Sequence, residues 1–139
     1  MTVLKATFVM IALLALAGCT LRPTLVAAHV TSGDEGEIVE VIIRASDAMA
    51  IKDREMYFSI VVVDCQDNQN RFPVEPYIAE QLAADFDFPI EGELVTVHGS
   101  MPGNVLVDIP TPCVLLQGGS YFSGKIESAP IPLVRQADE

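Results

Sequence analysis

The run of residues 56–65, MYFSIVVVDC, constrains the fold more than any other stretch of the chain. It is rich in β-branched and aromatic residues, which favour a strand. The residues that would point to either face of this strand are largely apolar, and two apolar faces are typical of a central position in a sheet. We therefore predict a β-rich fold with this segment near its middle.

Several other segments between turn residues are predicted as strands from their alternation and their β-branched content. They are 37–45, 71–74, 93–99, 105–109, 113–117 and 121–126. In the first of these, Val39, Val41 and Ile43 share one face with Glu37. The sequence Met101-Pro102-Gly103-Asn104 is a strong turn signal, so 93–99 and 105–109 are predicted to pair as a hairpin.

One helix is predicted, over residues 75–85. From Pro76 onward, apolar residues recur at spacings of three and four, and proline is favoured in a first helical turn. Pro89 would stop the helix. The polar segment 46–55 is predicted to be a loop, with a helical turn over 48–51 as the alternative.

Strands before a single helix and a hairpin after it follow the order of a five-stranded OB barrel. The stretch EGELVTVHGSMPGNVLVDI resembles the strand-turn-strand that follows the helix in OB-like domains. The resemblance implies a mainly β fold over residues 37–128, a small OB-like barrel with one helix. A short third strand and an extra extended segment after Cys113 favour the alternative, a β-sandwich with one helix.

The first eighteen residues have the layout of a secretory signal peptide, in which Lys5 precedes an apolar run. The run is shorter than the roughly 20 apolar residues that a membrane helix needs. It closes with Leu16-Ala17-Gly18-Cys19, which resembles the lipobox of bacterial lipoproteins: leucine, two small residues, then cysteine.

The lipobox resemblance implies that the Cys19 thiol carries a diacylglyceryl group, that cleavage follows Gly18, and that the new amino terminus is acylated. More than one acyl chain gives stable membrane anchoring. Thr20 stands where an aspartate would favour retention in the inner membrane, so the outer membrane, facing the periplasm, is expected. Residues 19–36 are interpreted as a lipidated tether and 129–139 as a C-terminal tail.

The formal net charge of the chain is −11, and it becomes −12 once Lys5 leaves with the signal peptide. Binding to nucleic acid needs clustered Lys and Arg, so no nucleic-acid partner is expected. Anionic lipid heads also repel such a surface, which leaves the lipid on Cys19 to hold the protein at the membrane.

Cys65 and Cys113 remain after Cys19 is assigned to lipid. An even pair in an oxidising compartment is a disulfide candidate. Each cysteine stands beside a strand-like run, as expected of a bridge that fixes a sheet. The alternative is two buried free thiols.

No familiar catalytic motif occurs in the sequence. G-x-S-x-G, H-E-x-x-H and C-x-x-C are all absent, so we expect no enzyme and no cofactor. His98, with Met101 three positions on and His29, Met49 and Met56 elsewhere, offers soft metal ligands. Methionine usually fills core gaps instead, and a metal site is therefore not the favoured interpretation.

Two further segments are candidate binding sites. Acidic residues cluster around Phe86 and Phe88, but their spacing is not that of a calcium loop, and a solvated loop is favoured. The acidic residues are Asp85, Asp87, Glu91 and Glu93. The sequence Gly118-Gly119-Ser120-Tyr121-Phe122 joins flexibility to aromatic side chains, so it would suit a peptide or glycan if exposed and would close the barrel if buried.

These observations predict a lipid-anchored envelope lipoprotein with a non-catalytic β-rich domain that binds another envelope protein or a ligand. The alternative is a periplasmic metal-handling protein or enzyme that uses His98. An immunity or entry-exclusion lipoprotein fits the size and location equally, without support from particular residues.

Overall fold

The structure is a computed structural model, and it describes residues 20–67, 70–85, 91–120 and 124–136. The elements within these ranges are β1 (Thr20–Leu21), β2 (Leu25–Gly33), β3 (Gly36–Arg44), α1 (Ala45–Asp53), β4 (Tyr57–Asp64), β5 (Phe72–Val74), β6 (Tyr77–Ile78), β7 (Gln81–Leu82), β8 (Leu94–Met101), a 3-10 helix (Leu106–Asp108), β9 (Pro112–Ser120), β10 (Gly124–Glu127), β11 (Ile131–Pro132) and β12 (Val134–Arg135). Strands account for 56% of the structure and helices for 11%, which confirms the mainly β class with one α-helix.

The strands form two mixed sheets in the part of the chain that the structure describes. The first sheet has the order β1-β10-β9-β4-β5, with β11 also paired to β9, and the second has the order β12-β2-β3-β8-β6-β7. Neither sheet closes into a barrel over the described ranges. Of the two architectures that the sequence suggested, the structure therefore matches the sandwich and not the OB-like barrel.

The core lies between the two sheets and follows the alternation of the strands. Val39, Val41 and Ile43 of β3 are fully buried on one face, as the sequence predicted. In β4, Ile60 and Val62 belong to this main core. The alternate β4 residues are also buried, in a second cluster on the other face that consists of Val61, Val63, Cys113 and Leu115. Residues 56–65 form an interior strand, as predicted, because β4 pairs with both β9 and β5, but β4 lies one strand from the β5 edge and not in the middle of the sheet.

The helix predicted over residues 75–85 is wrong. Strands β6 and β7 form a tight hairpin there, and its turn contains Ala79 at a φ of 54°. At the open end of the hairpin, the Ala83 N–H donates to the Pro76 carbonyl at 2.9 Å. Tyr77 pairs with His98 of β8. The segment therefore belongs to the second sheet, although the spacing of its apolar residues would also suit a helix.

The α-helix lies instead at Ala45–Asp53, in a segment predicted to be mostly loop. It buries Ala48 and Ile51 alone, so its apolar periodicity is too weak to read from the sequence. Asp47 in the first turn and Lys52 in the last turn suit the helix dipole.

The strand predicted over 105–109 is also wrong, because this segment contains the 3-10 helix. The Val105 N–H donates to the Pro102 carbonyl at 3.2 Å, and the Ile109 N–H donates to that of Leu106 at 3.2 Å. These local bonds curl the chain away from β8, whose predicted hairpin partner is therefore missing. β8 pairs along its whole length with β3.

Both ends of the described chain extend the sheets beyond residues 37–128. Residues 25–33, expected to belong to a tether, form β2 and pair antiparallel with β3. Leu25, Ala28 and Val30 of this strand are buried in the main core, on either side of a register shift between Leu25 and Ala27. At the other end, β11 pairs with β9 and β12 pairs with β2, in the segment expected to be a tail.

Candidate functional site

Tyr57, the first residue of β4, is the one aromatic side chain among the described residues that is mostly exposed, at 68%. The end of α1 positions it, since the N–H of the buried Met56 donates to the Ile51 carbonyl at 3.1 Å. Glu55, at a φ of 52°, turns the chain from the helix into the strand. An aromatic ring held in solvent by a rigid strand start is a candidate contact for a partner.

Three cavities meet at Tyr57. The first, of about 380 Å³, lies between α1 and the start of β4 and is lined by Ile51, Met56 and Ile78 among others. The second, of about 540 Å³, lies between β4 and the chain that leaves β5. The third, of about 400 Å³, lies over the end of β9. We call this set of cavities the Tyr57 groove, and concave sites of this size are typical of ligand and peptide binding.

Glycines of β9 form the floor of the third cavity. Gly118 and Gly119 pair with Phe58 and Tyr57, so β9 lies directly beside the start of β4. A Cβ atom at Gly118 would overlap the Tyr57 carbonyl oxygen. Glycine is therefore required at position 118 for this close approach, and Gly119, directly opposite Tyr57, places no side chain against the ring.

The segment Gly118–Phe122 that the sequence singled out thus lies partly in the groove. Gly118, Gly119 and Ser120 line it together with Tyr57. Tyr121 and Phe122 lie outside the described residues. Tyr57 and Phe58 were missed as site residues, although they begin the strongest strand of the chain. Nothing local in the sequence signals that Gly118 stands opposite them.

Charged residues at the groove are divided by cavity. Lys52 and Glu55 line the first cavity, and Lys125 lines the third. The charged residues of the second cavity are Glu75 and Asp85, both exposed and both acidic. The second cavity therefore has a negative rim in a chain that already carries a net charge of −11.

The disulfide predicted between Cys65 and Cys113 is present in the structure, with a Cα–Cα distance of 5.1 Å. It ties the end of β4 to the start of β9. The Cys65 N–H also donates to the Thr111 carbonyl at 2.7 Å. The disulfide therefore joins β4 and β9 at the end of the pair that lies opposite the Tyr57 groove.

His98 lies on the outer face of the second sheet, where it contacts the β6–β7 hairpin. Its Nε2 lies 2.5 Å from the Ala79 carbonyl oxygen, and its ring stacks on Tyr77 with the centroids 6.0 Å apart. Met101, its proposed companion, is buried on the opposite face of β8. The structure therefore does not bring together the soft ligands that the sequence suggested.

Other candidate ligands are also dispersed. His29 Nε2 lies 3.8 Å from Glu40 Oε2, and Met56 is buried beside α1. Within the described ranges, no group of three or more His, Cys, Asp or Glu side chains is placed to hold a metal ion. Of the acidic residues near Phe86, Asp87 lies outside the described residues, and the Glu93 carbonyl accepts the Ala45 N–H at the start of α1.

No protein-family model matches the chain, and no curated protein matches it either. Across the described residues, no helix has both the length and the apolar character needed to span a bilayer. Cys19 lies outside the described residues. Two features of the chain bear on its function, the amino-terminal motif Leu16-Ala17-Gly18-Cys19 and the Tyr57 groove.

Proposed function

We propose that this chain is a bacterial envelope lipoprotein, anchored by lipid on Cys19, whose β-sandwich domain is a non-catalytic module that binds another envelope protein. The anchor is proposed from Leu16-Ala17-Gly18-Cys19 at the end of the signal-like stretch. The binding role is proposed from one observation, the exposed Tyr57 ring at the meeting point of three cavities.

The disulfide supports a location outside the cytosol, because such bonds persist in oxidising compartments. The net charge of −11 makes electrostatic attachment to anionic lipid heads unfavourable, so a covalent lipid is the consistent anchor. Thr20, in place of aspartate after the lipidated cysteine, favours the outer membrane, with the domain facing the periplasm.

Several properties of the Tyr57 groove support a protein partner. Tyrosine is enriched at the energetic centres of interfaces because it offers a large apolar ring with a polar tip. β9 pairs with β4 along its whole length and the disulfide ties the two strands together, so the backbone that carries the ring is already ordered and little backbone entropy is lost when a partner packs on it.

The alternative, a metal-handling protein or enzyme that uses His98, has less support. The imidazole Nε2 is engaged by the Ala79 carbonyl, and Met101 points to the other face of its strand. A metal ion bound at Nε2 would have to displace that hydrogen bond.

The experiment that tests the binding role is photo-crosslinking in living cells. The full chain carries a photoreactive amino acid at position 57 or, as control, at position 107. Val107 is 79% exposed and lies just before β9, whose other end forms the groove. We expect an adduct with an envelope protein from position 57 and none from position 107. No adduct from 57, or the same adduct from both positions, would contradict the proposal.

A further inference from the structure

The first three residues of β4 lack a strand partner on one side. β9 pairs with β4 along its whole length, Tyr57–Asp64. β5 covers the other side only at residues 60–62, because its last residue, Val74, stands opposite Ile60. Residues 57–59 therefore form an open strand edge over the part of the chain that the structure describes.

The prolines of the two neighbouring strands show which backbone groups point to the open side. In an antiparallel pair, residues alternate between hydrogen-bonded and non-hydrogen-bonded positions. Pro73 and Pro112 lack an N–H and stand opposite Val61 and Asp64. Even-numbered β4 residues therefore direct their backbone groups toward β5, and odd-numbered residues direct theirs toward β9.

β5 does not reach two even-numbered β4 residues, Phe58 and Asp64, and Phe58 is the one that lies in the open edge at 57–59. By this alternation, its N–H and its carbonyl both point into the space beside β5, where no described strand pairs with them. Leu116 confirms the alternation. It stands opposite Ile60 and uses its N–H away from β4, on the Ser128 hydroxyl.

The space beside Phe58 is the second cavity of the Tyr57 groove, of about 540 Å³. It exists because the chain after Val74 turns away to the other sheet, where Tyr77 pairs with His98. Gly99 permits this turn, since a Cβ atom there would overlap the Val74 side chain and would lie 2.5 Å from the Glu75 carbonyl oxygen. Among the described residues, the open space beside Phe58 therefore follows from the way the two sheets pack.

We infer that an extended, basic segment of the partner protein adds to the first sheet as a strand beside residues 57–59, in line with β5. This inference rests on the proposed binding function and specifies its mode. A residue of the segment exchanges two hydrogen bonds with the N–H and carbonyl of Phe58, as in other strand-addition complexes. The exposed ring of Tyr57 flanks the added strand.

The acidic rim of the second cavity favours a basic partner segment. Glu75 and Asp85 form the rim of the second cavity, and both side chains are exposed. A segment with Lys or Arg at alternate positions matches this rim and the net charge of the chain, while an acidic segment is repelled. Alternation with apolar residues suits a strand that has one face on the groove and one face in solvent.

The test uses two variants that differ in one hydrogen-bond donor. Phe58→Pro and Phe58→Ala both lose the phenyl ring, but only the proline variant also loses the N–H that faces the cavity. The probe is the acetylated, amidated peptide Lys-Val-Lys-Val-Lys, titrated into the full chain in detergent micelles and followed by amide NMR. The matching peptide with Glu in place of Lys tests the charge preference.

We expect saturable binding of the basic peptide, slower hydrogen exchange of the Phe58 amide in the complex, and no binding of the acidic peptide. Phe58→Pro should bind roughly fivefold to tenfold more weakly than Phe58→Ala, because one hydrogen bond is lost. The hydrogen exchange of the unsubstituted chain gives the answer even if the proline variant does not fold.

Equal affinity of the two variants, or an unprotected Phe58 amide in the complex, would overturn strand addition. Equal binding of the acidic peptide would overturn the charge selection. A dimer formed through this edge, seen by sedimentation and by protection of Phe58 without peptide, would replace the partner with a second copy. If Tyr57 still crosslinks to an envelope protein in any of these cases, the proposed function stands and this mode alone fails.

Discussion

Ser128 and Leu116 exchange two hydrogen bonds, in one of which a side-chain hydroxyl takes the place of a backbone carbonyl. The Ser128 N–H donates to the Leu116 carbonyl at 3.0 Å, and the Leu116 N–H donates to the Ser128 Oγ at 2.7 Å. Ser128, at 4% exposure, lies between β10 and β11, which pair with different parts of the same edge of β9. Its hydroxyl therefore completes that edge.

Replacing Ser128 with alanine should lower the free energy of unfolding by about 1–3 kcal/mol. The reason is that the buried Leu116 N–H would lose its acceptor. Ser100→Ala, at an exposed position of β8, is the matched control and should change stability by less than about 0.5 kcal/mol. Urea denaturation measures both, and equal effects would contradict the role given to the hydroxyl.

The carboxyl-terminal segment should contribute to the core. Leu133 is 6% exposed and its N–H donates to the Pro112 carbonyl at 2.9 Å, whereas its neighbour Val134 is 60% exposed. Leu133→Ala should cost about 2–5 kcal/mol of unfolding free energy, and Val134→Ala less than about 0.5 kcal/mol. If thermal unfolding shows the same small loss for both, the segment is a tail, as its sequence first suggested.

Breaking the disulfide should destabilise the domain without changing its fold. In the chain-entropy model, closing a loop across 48 positions stabilises the native state by roughly 4 kcal/mol. A variant with Cys65→Ala and Cys113→Ala should lose about this amount, and its stability should not respond to a reductant. Alkylation of the unsubstituted protein without reductant, followed by mass analysis, should modify neither Cys65 nor Cys113. Two modified thiols would contradict the disulfide.

Strands were predictable where alternation and β-branched residues agree. Segments 37–45 and 56–65 correspond closely to β3 and β4, and the predicted faces of β3 are the observed ones. These two strands can be predicted from their own residues, because the local preference for a strand and the burial of its apolar residues favour the same structure.

Other elements depended on contacts that are distant in sequence. Residues 77–82 have helical spacing, yet pairing with β8 makes them a hairpin. Residues 25–33 lack clear periodicity, yet β3 supplies a partner for them. Helix α1 buries too few residues to give its sequence a clear apolar periodicity. In each case tertiary packing outweighs local preference.

The cysteine pair was predictable from composition and from the compartment that the lipobox resemblance implies, whereas the Tyr57 groove, which is the candidate site, was not predictable. The Tyr57 groove needs Gly118 opposite Phe58 and a β5 that ends at Val74. Both relations join residues that are far apart in the chain, so no local pattern contains them.

Lipid attachment at Cys19 distinguishes a lipid-anchored envelope protein from one that is not anchored. Cells that express the full chain are labelled with a clickable fatty-acid analogue, and the Cys19→Ser variant is compared with the Cys65→Ala variant, which keeps the lipobox. We predict that the unsubstituted chain and Cys65→Ala are labelled and sediment with membranes, while Cys19→Ser is unlabelled. An unlabelled unsubstituted chain, or a labelled Cys19→Ser variant, would rule out a lipid anchor on Cys19.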